Sequence, residues 1–134
     1  MLQTNQMNYF KESCFCGSEN IFGECCEPYI KGTQKAETAE ALMRSRYSAY
    51  AIHEADYLVA TTHISQRKFH SKREILNWAI NNQWQKLEII KVTENTVEFK
   101  AYFLDANLQN QTHHELSNFI TENGSWYYVD GIYF

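Results

Sequence analysis

Every cysteine of the 134-residue chain lies in one short stretch, CFCGSENIFGECC at positions 14–26. Sulfurs gathered so closely can cross-link, bind a metal, or serve redox chemistry. The adjacent Cys25 and Cys26 can pair only through a strained vicinal bridge. The first pair reads C-x-C, whereas redox pairs usually read C-x-x-C. Metal binding accounts for the whole set. Cys14 and Cys16 approach from one tight turn that Gly17 permits, and Cys25 and Cys26 close the other side. Four thiolates suit tetrahedral zinc and leave no position for water, so the expected centre is structural. Disulfides, or a thiol sensor in which oxidation ejects the metal, are the alternatives.

The same stretch explains why a metal is wanted. Residues 13–32 hold few apolar side chains beyond Phe15, Ile21, Phe22, Tyr29 and Ile30, too few for a core. Structural zinc contributes on the order of 10 kcal/mol or more of folding free energy. Four thiolates on one zinc leave about two negative charges, which Lys11, Lys31 and Lys35 are placed to soften.

The remaining chain has material for a core of its own, with 44% hydrophobic residues, so one domain with a small appendage is expected. A net charge of −4 weighs against nucleic acid as partner, and the basic pairs Arg44/Arg46, Arg67-Lys68 and Lys72-Arg73 read as solvated faces. The first dozen residues, MLQTNQMNYFKE, contain no apolar run of the secretory kind, and nothing approaches the ~18 apolar residues of a membrane span. A cytoplasmic location, where thiols stay reduced, follows as an expectation, with no membrane partner.

From Thr38 the apolar positions Ala39, Leu42, Met43, Tyr47, Tyr50 and Ala51 recur at helical spacing, with Thr38 as N-cap. Asp56 is expected to cap a short second helix over 57–62. Ser71 and Glu74 form a capping box ahead of the stripe Ile75, Leu76, Ala79, Ile80. After Trp84 the period changes to two. Val97, Phe99, Ala101 and Phe103 share one face of a strand, and Glu122-Asn123-Gly124-Ser125 joins strands at 113–120 and 126–131 in a hairpin. Ile89-Ile90 interrupts the strand over 84–93, as a bulge that bends the sheet does. Helices followed by an antiparallel meander predict an α+β fold with helices on one sheet face.

The C-x-C-G-S run followed by C-C resembles the SEC-C motif, the zinc-binding module at the tail of the SecA translocation ATPase. With TAEALMRSRYSAY at 38–50, ADYL at 55–58 and SWYYVDG at 125–131, nearly the whole chain resembles the YchJ family of bacterial proteins. The resemblance implies a SEC-C-like zinc lobe over 1–32 and a cone-shaped domain over 33–134, similar to nuclear transport factor 2, with helices on a curved antiparallel sheet. It implies a structural zinc but no reaction. Phe15 stands where the motif usually has Pro, and Glu19 where Gly is common. Asn118 replaces the Arg of the pattern E-x-S-R-F, and Ile64 follows His63 where relatives often show His-Pro. Many relatives carry a second SEC-C motif after the VDG strand; the chain reaches Phe134 without one, so no role needing two metal lobes is expected.

Cones of this kind often enclose a pocket. Candidate polar lining residues are Arg44, Arg46, Asp56, His63, Glu115, Ser117 and Asp130, with walls from Tyr47, Tyr50, Trp78 and Trp84. The plainer assignments are that Arg44 and Arg46 solvate a helix or pair with Glu115, that Asp56 is a cap, and that the aromatics are core. His113 and His114 point to opposite faces of a strand, and His53 and His70 have no evident partner. No nucleophile triad, phosphate-binding glycine loop or dinucleotide fingerprint is present. The leading expectation is a zinc-binding cytoplasmic adaptor that meets a protein partner through Phe15, Ile21, Phe22 and Tyr29. The competing expectation is a small-molecule binder or enzyme using the cone pocket, with homodimerisation through the sheet face open to either.

Overall fold

The molecule, a computed structural model, is described for residues 9–134. The expected absence of a leader and the start of the 1–32 lobe therefore lie partly outside the described residues. The chain enters through a knuckle. An antiparallel bridge joins Ser13 to Ile21, a 3-10 turn spans Phe22–Glu24, and helix α1 spans Glu27–Lys31. Pro28 suits the first turn of α1, where its missing N–H costs nothing, and Gly32 stops the helix at a left-handed φ of 82°.

Helix α2 runs Ala39–Ala51, and the Thr38 hydroxyl accepts the Ala41 N–H at 3.0 Å, as its sequence announces. Helix α3 spans Ala55–Ala60, two residues earlier than expected. Glu54 occupies its N-cap position, so Asp56 is a first-turn residue favoured by the helix dipole rather than a cap. A 3-10 segment, Ile64–Phe69, leads to α4, Lys72–Asn81. Ser71 accepts the Glu74 N–H at 3.1 Å and returns its hydroxyl to the Glu74 carboxylate at 3.2 Å. Of the stripe on α4, Ile75 and Ala79 are buried, while Ile80 faces outward. Among the described residues, no helix is long and apolar enough to cross a membrane.

Four antiparallel strands follow in the order β1-β2-β3-β4: Gln83–Val92, Thr96–Leu104, Asn110–Glu122 and Ser125–Tyr133. The alternation in β2 is complete, with Val97, Phe99, Ala101 and Phe103 all buried. The last hairpin turns on Asn123 at φ 53° and Gly124 at φ 80°, the two positive angles that a tight primed turn requires. Register shifts fall at Ile89/Lys91, where the sequence break predicts one, and at Trp84/Lys86 in β1. A third lies opposite Asn118/Phe119, where β4 carries Val129 as an extra residue. Such bulges bend a sheet, and here the sheet wraps the helical layer.

Leu42, Met43 and Tyr47 of α2 pack against Leu87, Val97, Phe99, Ala101, Phe119 and Tyr128 of the sheet. Cys14, Cys16, Phe22 and Cys26 belong to the same core. The knuckle is thus seated on α2 and the sheet, and it borrows the apolar surface that its own sequence lacks.

Candidate functional site

The knuckle brings the four sulfurs together. All four Sγ atoms lie within 4.8 Å of one another, with Cys16 and Cys25 at 3.7 Å and Cys25 and Cys26 at 3.9 Å. A tetrahedron with metal–sulfur bonds of about 2.3 Å has edges of about 3.8 Å. Cys14, Cys16 and Cys26 are buried and Cys25 is half-buried, and none is in a disulfide. The donor set is therefore all sulfur, closed, and of a size that fits a tetrahedral ion.

Local backbone explains the convergence. Cys14 donates its N–H to the Asn20 carbonyl at 2.8 Å, and its own carbonyl accepts the Gly17 N–H at 3.1 Å. Gly17 sits at φ 81°, and Glu19 is forced to φ 73°, so Gly is preferred at both positions for a steric reason. Outer contacts hold the sulfurs in place. The Ser18 hydroxyl lies 3.0 Å from the Cys25 sulfur and the Ser48 hydroxyl 3.6 Å from that of Cys14. Arg44 donates to the Cys16 carbonyl at 2.8 Å and to Glu40 at 2.9 Å. Arg44 therefore serves the knuckle, not the cavity, as a correction to its expected place. Hydrogen bonds from Cys14 and Cys26 hold the Cys16 thiol far below its usual range, whereas burial pushes Cys25 up to about 11. Four sulfurs this close cannot all carry charge without a cation among them.

A second feature lies between the helices and the concave sheet face, a cavity of about 330 Å³. Of the expected lining, Arg46, Tyr47, Tyr50, Trp78, Glu115 and Ser117 are present. Asp56, His63 and Asp130 are not. The Asp56 side chain is 81% exposed and pairs with Lys72 at 2.8 Å. His63 is half-buried outside the cavity, between Ser65 and Glu122, and packs edge-on against Tyr127. Asp130 accepts from the Asn118 amide at 2.9 Å.

Glu115 is buried at the inner end and accepts from His113 at 2.7 Å, Ser117 at 2.8 Å and Tyr128 at 2.8 Å. Burial alone raises its pKa, but the three donors outweigh burial and leave it below the ordinary carboxylate range. The Glu115–Arg46 pairing expected from sequence is not made. Tyr128 reaches Glu115 because Val129 bulges out of β4, which switches strand parity so that Tyr128 and Gly131 both face inward. A Cβ on Gly131 would fall onto the Glu115 carboxylate, so glycine keeps that space clear.

Arg46 is buried and spends Nη1 on the Leu58 carbonyl at 3.0 Å and the Thr61 hydroxyl at 2.7 Å, while its guanidinium lies 4.7 Å over the Tyr128 ring. Trp84 packs against Tyr47, Tyr50, Trp78 and Phe103 to form the apolar wall. Sequence reasoning missed His70, His113 and Tyr128 as lining residues. Strand alternation could have found His113, which shares a face with Glu115. Tyr128 was hidden by the bulge.

The geometry has recognisable relatives. The family model described as YchJ, middle domain similar to nuclear transport factor 2, matches residues 38–131. A UPF0225 protein of Geobacter sulfurreducens is 42% identical over 125 residues, covering 88% of this chain and 77% of that protein. One from Photorhabdus laumondii is 42% identical over 128 residues, covering 90% and 80%. The solution structure of a SEC-C motif containing protein from Rhodopseudomonas palustris superposes with a TM-score of 0.82 at 35% identity, covering 90% of this chain and 97% of the other. The crystal structure of a SEC-C motif containing protein from Psychrobacter arcticus gives 0.80 at 34% identity, covering 92% and 84%.

Proposed function

Since the chain belongs to the YchJ-like family of UPF0225 proteins, we propose that it is a zinc-stabilised cytoplasmic protein that binds a small molecule in its cavity. Zinc is the ion that four thiolates at tetrahedral spacing favour, and it would tie the two ends of the knuckle together without open coordination for chemistry. The observation that carries the binding role is the cavity of about 330 Å³ itself, within the range of small-ligand sites. Its Tyr47 and Tyr50 hydroxyls have no hydrogen-bond partner among the described residues, yet both keep accessible surface. Buried phenols ordinarily find a partner, so these donors are available to a guest.

Binding is favoured over acid–base catalysis because Glu115 is held ionised by three donors. A general acid needs a carboxyl raised toward neutrality, and a carboxylate held below its ordinary pKa by three donors is a weak general base. An adaptor surface on the knuckle is the weaker alternative: Phe22 is buried, and Phe15, Ile21 and Tyr29 are half-buried. The test is a screen of small aromatic fragments against the zinc-loaded chain, followed by thermal shift and by the indole N–H resonances of Trp78 and Trp84. Bound fragments should raise the melting temperature by mass action and move those resonances. A screen to millimolar concentration in which neither happens removes the reading.

A further inference from the structure

Among the described residues lining the cavity, Arg46 is the charged group with most of its hydrogen-bonding capacity unspent. Glu115 already accepts from three donors, His113, Ser117 and Tyr128. Arg46 is only 8% exposed. Among the described residues, no carboxylate lies within ion-pair distance of it. A guanidinium carries five N–H donors, and protein oxygens engage Nη1 alone, from Leu58, Thr61 and more distantly Thr62 at 3.4 Å. Its guanidinium carbon lies 4.7 Å over the Tyr128 ring, and Nη2 and Nε take no part in the contacts that hold Nη1. Those nitrogens have no acceptor among the described residues and keep accessible surface, and Arg46 lines the cavity.

A buried cation without a counter-ion is costly, and a planar guanidinium fork matches a carboxylate with two parallel hydrogen bonds. We propose that the ligand is a small organic carboxylate whose acid group is held by the free edge of Arg46 and whose flat apolar body lies against Trp78, Trp84 and Tyr50. The inference rests on the cavity being a binding site and adds the charge and shape of the guest. An organic cation, which an aromatic wall near a carboxylate could also attract, is disfavoured because the Glu115 oxygens already accept three bonds while Arg46 has donors to spare.

The test is an NMR titration of the zinc-loaded full chain with phenylacetate, its neutral amide phenylacetamide, and benzylamine. The Arg46 Nε–Hε and Trp84 indole resonances are followed; the latter N–H is fixed on the Ala79 carbonyl at 3.2 Å. Phenylacetate should shift both resonances and bind about tenfold or more tightly than the amide, the increment of a charged hydrogen-bond pair. Arg46→Lys, which keeps the charge and loses the fork, should weaken phenylacetate by about tenfold. Because that variant also loses the Nη1 bonds, the Arg46 signal of the unsubstituted protein is the decisive readout. Should the amide or benzylamine bind as well as the acid, the carboxylate assignment fails while the cavity stands. If phenylacetate leaves Arg46 unmoved, the assignment fails too, and the fragment screen alone then judges the cavity.

Discussion

Tyr128→Phe removes one oxygen from the interior and leaves the ring, with its contacts to Phe119 and Arg46, in place. The lost bond is a 2.8 Å hydroxyl donor to a buried carboxylate, with both residues less than a tenth exposed. Hydrogen bonds to charged groups contribute about 1.5–3 kcal/mol, so a loss of about 2 kcal/mol at pH 7 is expected. With an unfolding entropy of about 2.1 cal/mol/K per residue, a chain of 134 residues changes stability by ~0.28 kcal/mol per degree near its midpoint, giving a fall of about 7 °C in Tm. The pH dependence separates this from a packing effect. The folded-state pKa of Glu115 is depressed, so its contribution is present above the unfolded glutamate value and is lost as pH falls through the folded one. The substitution weakens that depression, so the gap between the two proteins should narrow by about half once the carboxyl is protonated, well below pH 4.3. Urea melts at a series of pH values from neutral to acid measure both quantities. A deficit under about 0.5 kcal/mol, or one indifferent to pH, refutes the claim that the hydroxyl holds an ionised Glu115.

Native mass spectrometry should find one zinc per folded chain, and Cys25→Ser or chelation should abolish hydrogen-exchange protection over residues 13–31 while β2 and β3 retain theirs. Gly131→Ala should cost about 1–3 kcal/mol by thermal melting, because its methyl group competes with the Glu115 carboxylate for one space. Glu19→Gly should raise stability by about 1 kcal/mol, since Glu19 is held at a left-handed φ of 73° that a side chain resists; an unchanged midpoint counts against strain there.

Much of the fold was legible because its signals are local. Thr38 and Ser71 are caps by virtue of hydroxyls that reach N–H groups three residues on. The Asn123-Gly124 pair takes the two positive φ angles of a primed turn, and the doubled Ile89-Ile90 marks the place where β1 changes register. The cysteine spacing pointed to four converging sulfurs, because a two-residue reach across a glycine turn is short-range geometry. The cavity was half legible. Glu115 and Ser117 share a strand face, and Tyr47 and Tyr50 lie on one side of α2, and all four line the cavity. Asp56 and His63 were misplaced, because a polar residue near a helix end reads the same whether it turns to solvent or inward.

Arg44 and Arg46 mark the division most clearly. From the chain alone they are a basic pair two residues apart on a helix, and two helical steps separate them by about 200°. That much places them on different sides of α2. Which side meets the knuckle and which meets the cavity depends on what packs against the helix, and no local pattern encodes that choice. The parity of β4 is similar: alternation names an inward set, and the one extra residue at Val129 reverses it, turning Tyr128 toward Glu115. Elements, caps, turns and the sulfur cluster were written in the order of residues because short-range sterics and hydrogen bonds create them. The seat of the knuckle, the partners of Glu115 and the open edge of Arg46 were decided only in three dimensions, where groups far apart along the chain compete for the same space.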